Sequence, residues 1–172
     1  ECVVFVSQSG DVKRIPATAF KLQKRNGKGI KSEDDAVLSI ISTNTIDNLL
    51  LFTKKGKLFK IIVDEVPVGT NASKGAHVGT LINIDQDDEV IAITSLARSN
   101  TAKYVVFFTK RGLMKKNLLS EYTTIKRSTG IAAIKINEGD SIANVEFINE
   151  EDILAITKNG MSIHFESKNV NS

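Results

Sequence analysis

The residues best equipped for chemistry lie in one short stretch, Gln23-Lys24-Arg25-Asn26-Gly27-Lys28-Gly29. Three cations within five residues, alternating with two glycines, make a loop whose backbone can come close to a phosphate. Lys21 and Lys31 flank it, and Lys13 and Arg14 precede it. The glycines lack the spacing of a nucleotide-binding P-loop. The chemistry on offer is a close approach to a phosphate, and a flexible basic hairpin loop has the same composition.

A second set of cations is periodic. Gly10, Gly56, Gly112 and Gly160 each close a Ser/Thr-x-x-Gly turn, and the residues four further on are Arg14, Lys60, Lys116 and His164. The residues three past are Lys13, Phe59, Lys115 and Ile163, so the neighbouring position is only partly basic. A basic or potentially basic side chain recurring at one position of every repeat suits a run of phosphates, and that is the expectation here.

Other constellations are weaker. His77 and His164 are far apart and Cys2 stands alone, so no zinc set is present. Asp34-Asp35 and Asp85-Gln86-Asp87-Asp88-Glu89 lack the ordered ligands and glycine of a calcium loop and read as solvated hairpin tips. Tyr122 has only Glu121 and Thr123 beside it, and it falls where the other repeats place Phe20 and Val66. It is expected to pack rather than to attack.

The elements that must carry these residues are strands. Val3–Val6, Leu49–Phe52, Val105–Phe108 and Ile153–Ile156 are apolar runs that end at the four turns, with glycine-to-glycine steps of 46, 56 and 48 residues. Asn159-Gly160 is the strongest hairpin signal of the four. A second glycine, at Gly29, Gly75 and Gly130, precedes a further apolar strand: Val37 to Ile41, Val90 to Ile93 and Ile142 to Phe147. Val, Ile, Phe and Thr fill the runs without any sustained helical period. Each unit thus predicts about four short antiparallel strands, too little to bury itself alone. The repeat units fall at about 1–48, 49–101 and 102–150, with a half-unit at 151–172, so the whole of 1–172 is one repeat array. Residues 153–166 are expected to finish the third blade.

Charge follows the same rhythm. Along residues 1–154 of this +3 chain the charge alternates in blocks of +5 (1–31), −4 (32–48), +4 (49–63), −5 (64–92), +8 (93–135) and −6 (136–154). Stacked repeats would merge the positive blocks into a basic surface. No apolar run approaches the roughly 20 residues that span a bilayer, no secretory leader is visible, and a single cysteine suits a reducing cytosol.

The heptapeptide resembles the signature box of bacterial gyrase A subunits, Gln-Arg-Arg-Gly-Gly-Lys-Gly, matching at Gln23, Arg25, Gly27, Lys28 and Gly29 and departing at Lys24 and Asn26. The repeated strand, Thr-x-x-Gly turn and basic return strand resemble that family's repeat as well. In the second and third units, Asn71-Ala72-Ser73-Lys74-Gly75 and Lys126-Arg127-Ser128-Thr129-Gly130 resemble its degenerate boxes.

The resemblance implies an all-β pinwheel, a propeller-like ring whose four-stranded blades exchange strands, of which about three and a half are present. It further implies the C-terminal domain of a type IIA topoisomerase A subunit, gyrase rather than topoisomerase IV, that binds and bends duplex DNA and presents a segment to the cleavage gate. The implied DNA-binding residues are Lys13, Arg14, Lys21, Gln23, Lys24, Arg25, Gly27, Lys28, Gly29, Lys31, Lys60, Lys74, Lys115, Lys116, Lys126 and Arg127. The domain itself is expected to be neither catalytic nor metal-binding. The parent enzyme would use ATP and Mg²⁺ elsewhere, pair with a B-type ATPase subunit, and work in the bacterial cytoplasm at the nucleoid. Two alternatives stay open: a propeller that binds an acidic protein partner, and a purely structural domain.

Overall fold

A computed structural model of the chain describes residues 1–20, 36–96, 101–124 and 129–170. Every regular element among them is a strand or a short 3-10 turn. The strands, in chain order, are β1 (Cys2–Ser7), β2 (Asp11–Pro16), β3 (Val37–Thr43), β4 (Asn48–Thr53), β5 (Lys57–Ile62), β6 (Ala76–His77), β7 (Val90–Ser95), β8 (Tyr104–Thr109), β9 (Met114–Leu118), β10 (Ile131–Ala132), β11 (Ile142–Ile148), β12 (Asp152–Ile156) and β13 (Ser162–Glu166). They form antiparallel sheets ordered β3-β1-β2-β6, β10-β5-β4-β7, β11-β8-β9 and β12-β13.

In the first two blades, three strands come from the blade's own repeat and the fourth is borrowed. β6 belongs to the second repeat by sequence but pairs with β2, placing His77 opposite Asp11 and Ala76 opposite Val12. β10 belongs to the third repeat but pairs with β5, placing Ile131 opposite Leu58. Strand exchange is therefore present twice, and each time the donor directly follows a box-equivalent glycine, Gly75 or Gly130. Both glycines sit where no side chain fits. A Cβ on Gly75 would come 2.6 Å from the Val12 carbonyl oxygen, and one on Gly130 would come 2.6 Å from the Phe59 ring.

This exchange corrects one expectation. Residues 153–166 do not complete the third blade. They pair with each other, while the third sheet has three strands among the described residues. The position that supplies a fourth strand lies 19–21 residues past the following turn glycine, as Ile131 does after Gly112 and His77 after Gly56.

The residues gather into two compact units, 1–100 with 126–135, and 101–125 with 136–172. In the first, the pleat turns Val4 and Val6 of β1 and Val12 of β2 toward Leu49 and Leu51 of β4 and Phe59 and Ile61 of β5. Leu50 and Phe52, on the opposite face of β4, are also fully buried. Each such side chain contributes about 1.5–3 kcal/mol of burial. In the second unit Val106 of β8 packs on Ile153 of β12 and on Val170.

Candidate nucleic-acid interface

Every hairpin is closed by the same local chemistry. The turn-glycine amide donates to the carbonyl three residues earlier, Gly10 to Ser7 (3.1 Å), Gly56 to Thr53 (2.9 Å), Gly112 to Thr109 (3.0 Å) and Gly160 to Thr157 (3.0 Å). The hydroxyl of that Ser or Thr accepts the amide just past the glycine: Asp11, Lys57, Leu113 or Met161, at 3.0–3.1 Å. The glycines hold φ of 79–86°, the left-handed region that a Cβ disfavours.

The acidic clusters belong to the same construction. Asp88 Oδ1 accepts the Lys55 and Glu89 amides at 3.0 and 2.9 Å, and Asp140 Oδ1 accepts the Arg111 and Ser141 amides at 3.2 and 2.8 Å. Each carboxylate thus ties a hairpin tip to the strand beside it. Asp35 holds the corresponding place in the first repeat and lies outside the described residues. Burial alone would push up the Asp140 carboxyl. Hydrogen bonds from the Thr109 hydroxyl and from the Ser141 and Arg111 amides, with the Arg111 guanidinium nearby, hold it below its ordinary value. Asp85 and Glu89 form exposed ion pairs with Lys57 and Lys54, both at 2.7 Å, and Asp87 pairs with Lys55. No group of His, Cys, Asp and Glu among the described residues could hold a metal ion.

The cation four past the turn glycine behaves differently from the expectation. Arg14, Lys60, Lys116 and His164 lie cross-strand from Val4, Leu50, Val106 and Leu154. In the first and third repeats this face packs on the repeat that follows, so the pleat turns Arg14 and Lys116 inward. Arg14 Nε donates to the Val66 carbonyl at 2.7 Å, and its guanidinium pairs with Asp64 at 2.7 Å. Lys116 is buried; its ammonium donates to the Ser167 carbonyl at 2.6 Å and lies 4.7 Å from the centre of the Tyr104 ring. Arg14 and Lys116 are thus clamps between consecutive repeats, not a row of surface charges. Lys60 is half-buried, and exposed His164 sits 3.1 Å from Asp152.

Lys13 and Lys74 hold down the exchanged segment. Lys13 Nζ donates to the Asn71 carbonyl at 3.2 Å and to that of Ser73, while Lys74 pairs with the mostly buried Asp11 at 3.2 Å. Lys115 is half-buried on β9. Lys21, Gln23, Lys24, Arg25, Gly27, Lys28, Gly29, Lys31, Lys126 and Arg127 lie outside the described residues. Tyr122 is 5% exposed, and its hydroxyl accepts from Asn117 Nδ2 at 2.7 Å. Burial pushes its phenol above the ordinary value despite that bond. It packs, as its place in the repeat implies.

Against known proteins, the chain matches the family described as "DNA gyrase C-terminal domain, beta-propeller" over residues 3–44, 47–97 and 103–149. The chain belongs to this family. Its full length is similar to gyrase A subunits: 33% identical to that of Clostridium acetobutylicum over 98% of this chain, and 35% identical to that of Leptospira biflexa over all of it. In both cases it spans only 21% of the relative's length. A solved C-terminal domain of DNA topoisomerase IV superposes with a TM-score of 0.82 at 26% identity, over 99% of this chain and 53% of that one. A solved gyrase A C-terminal domain shares the fold, with a TM-score of 0.63 at 24% identity over 97% of this chain and 55% of that one. No helix among the described residues is long and apolar enough to cross a membrane.

Within this family frame, a different register also carries cations. The residue two before each turn glycine is Gln8, Lys54, Lys110 and Lys158. Lys110 and Lys158 are exposed and have no side-chain partner among the described residues. The signal was available in the turn tetrapeptides. Nothing local to those tetrapeptides distinguishes the solvent-facing register from the one that the packed face covers.

Proposed function

We propose that this chain binds duplex DNA without sequence preference and bends or wraps it, as the C-terminal domain of a gyrase-type A subunit in a type IIA topoisomerase. The family match across three repeats carries the reading, joined to a heptapeptide that agrees with the gyrase signature at five of seven positions. Bending a site of 20–30 bp costs on the order of 1–6 kcal/mol, which phosphate contacts from successive repeats can offset. In the parent enzyme, this domain would present a DNA segment to the cleavage gate. ATP, Mg²⁺ and a B-type ATPase subunit would serve the reaction elsewhere in the assembly, in the bacterial cytoplasm at the nucleoid. Binding should weaken steeply with salt.

Ligating nicked circular plasmid with the chain bound tests the wrapping. A shift in linking number is the result expected for a chiral wrap, and an unshifted distribution would reduce the function to simple binding. Failure to retard a duplex of any sequence at low salt would overturn the reading altogether.

A further inference from the structure

We propose that the hairpin tips, at the position two before each turn glycine, are where this chain meets backbone phosphates: Lys54, Lys110 and Lys158. The inference rests on the DNA-binding reading above and replaces the return-strand register as its chemical basis.

The backbone fixes this position before any ligand arrives. The amides of Gln8, Lys54 and Lys110 donate to the carbonyls of Ala36, Glu89 and Ser141 at 2.8–2.9 Å. Each tip is further closed by the glycine and hydroxyl bonds, so a lysine there projects from the same frame in successive repeats. The frame is rigid and the side chain is free to move, which suits a contact made by charge rather than by geometry.

The alternatives at these tips are weak. Lys110 and Lys158 are exposed without side-chain partners among the described residues, and with Thr109, Gly112 and Thr157 they line one groove of the second unit. Two carboxylates that share the groove are already engaged: Glu146 accepts from Asn144 Nδ2 at 2.7 Å and Asp152 faces His164. Lys54 pairs with Glu89, but that acid is 62% exposed, and such surface pairs yield readily to a stronger anion. Only the first repeat lacks a tip cation, having Gln8. By sequence that same repeat carries the Lys21–Lys31 cluster, which lies outside the described residues. By contrast, the return-strand cations Arg14 and Lys116 would have to leave carbonyls inside the fold to reach a phosphate.

The test is a salt series of duplex-DNA affinity for the full chain and three variants. Each phosphate contact contributes about 0.9 to the slope of log K against log salt. Lys110→Ala with Lys158→Ala should lower the slope by about 1.8, weakening binding about 60-fold at 0.1 M salt with the difference fading toward 1 M. Gln8→Lys should raise the slope by about 0.9, a gain that misfolding cannot mimic. Lys116→Gln should leave the slope unchanged. If the unaltered chain binds but the tip variants keep its slope, or Lys116→Gln lowers it, the tip assignment is wrong and DNA binding stands. If the unaltered chain shows no salt-dependent binding, the DNA reading itself fails.

Discussion

Lys116 Nζ donates to the carbonyl of Ser167 at 2.6 Å, joining the return strand of the third repeat to the 3-10 turn of the fourth. Both residues are buried. A buried carbonyl deprived of its charged donor costs about 1.5–3 kcal/mol, and the lysine stem also fills space against Tyr104. Lys116→Ala should therefore destabilise the chain by about 2–3 kcal/mol, seen as a lower urea midpoint. An unchanged midpoint would show that the ammonium is not a clamp.

Gly75 and Gly112 separate two costs that a glycine can avoid. Gly112 holds φ of +82° with nothing within 4 Å of where a methyl group would stand, so Gly112→Ala should cost only the backbone penalty, about 1–2 kcal/mol. Gly75 holds φ of +98°, and a Cβ there would press on the Val12 carbonyl at 2.6 Å. Gly75→Ala should exceed roughly 3 kcal/mol by adding a backbone clash to the same strain. Amide exchange at 76–77 should quicken in this variant alone as β6 lifts from β2.

Asp140 links hairpin closure to pH. Its folded carboxyl titrates below the ordinary range, so the folded state favours the charged form. The stability it contributes is fully present above the unfolded value of about 3.9 and is lost as pH falls through the lower folded value. The unaltered chain should thus lose stability below about pH 4, and Asp140→Asn should flatten part of that limb while keeping an oxygen for the Arg111 and Ser141 amides. Identical acid limbs in the two proteins would contradict the arrangement.

Tyr122 offers a contrast between packing and chemistry. Tyr122→Phe removes the acceptor of Asn117 Nδ2 and should cost about 1–2 kcal/mol in thermal or urea unfolding. DNA affinity and its salt slope should be unaltered. A loss of binding at equal stability would give the hydroxyl a part in the interface.

Much of the hairpin frame was legible in the chain because it is local. Ser7, Thr53, Thr109 and Thr157 each close a turn with a glycine three residues on, and the hydroxyl, the carbonyl and the left-handed glycine all lie within five residues. The apolar runs before them and the box at 23–29 were readable for the same reason: residue type and short spacing determine both. The acids at Asp88 and Asp140 were harder to read. Their partners, the amides of Lys55 and Arg111, lie across the sheet and leave no mark on the neighbouring sequence.

What the sequence alone determined was thus a β-hairpin repeat with a basic loop, and its family. Only the tertiary structure decided where the cations point and which strands complete which blade. The chain cannot show that 76–77 joins the first sheet or that 131–132 joins the second, because a two-residue strand takes its identity from the edge it finds. Nor can it show which face of a return strand is covered. Arg14 and Lys116 recur with the same regularity as the tip residues, but the packed face turns them onto carbonyls of the next repeat, whereas Lys110 and Lys158 stand exposed.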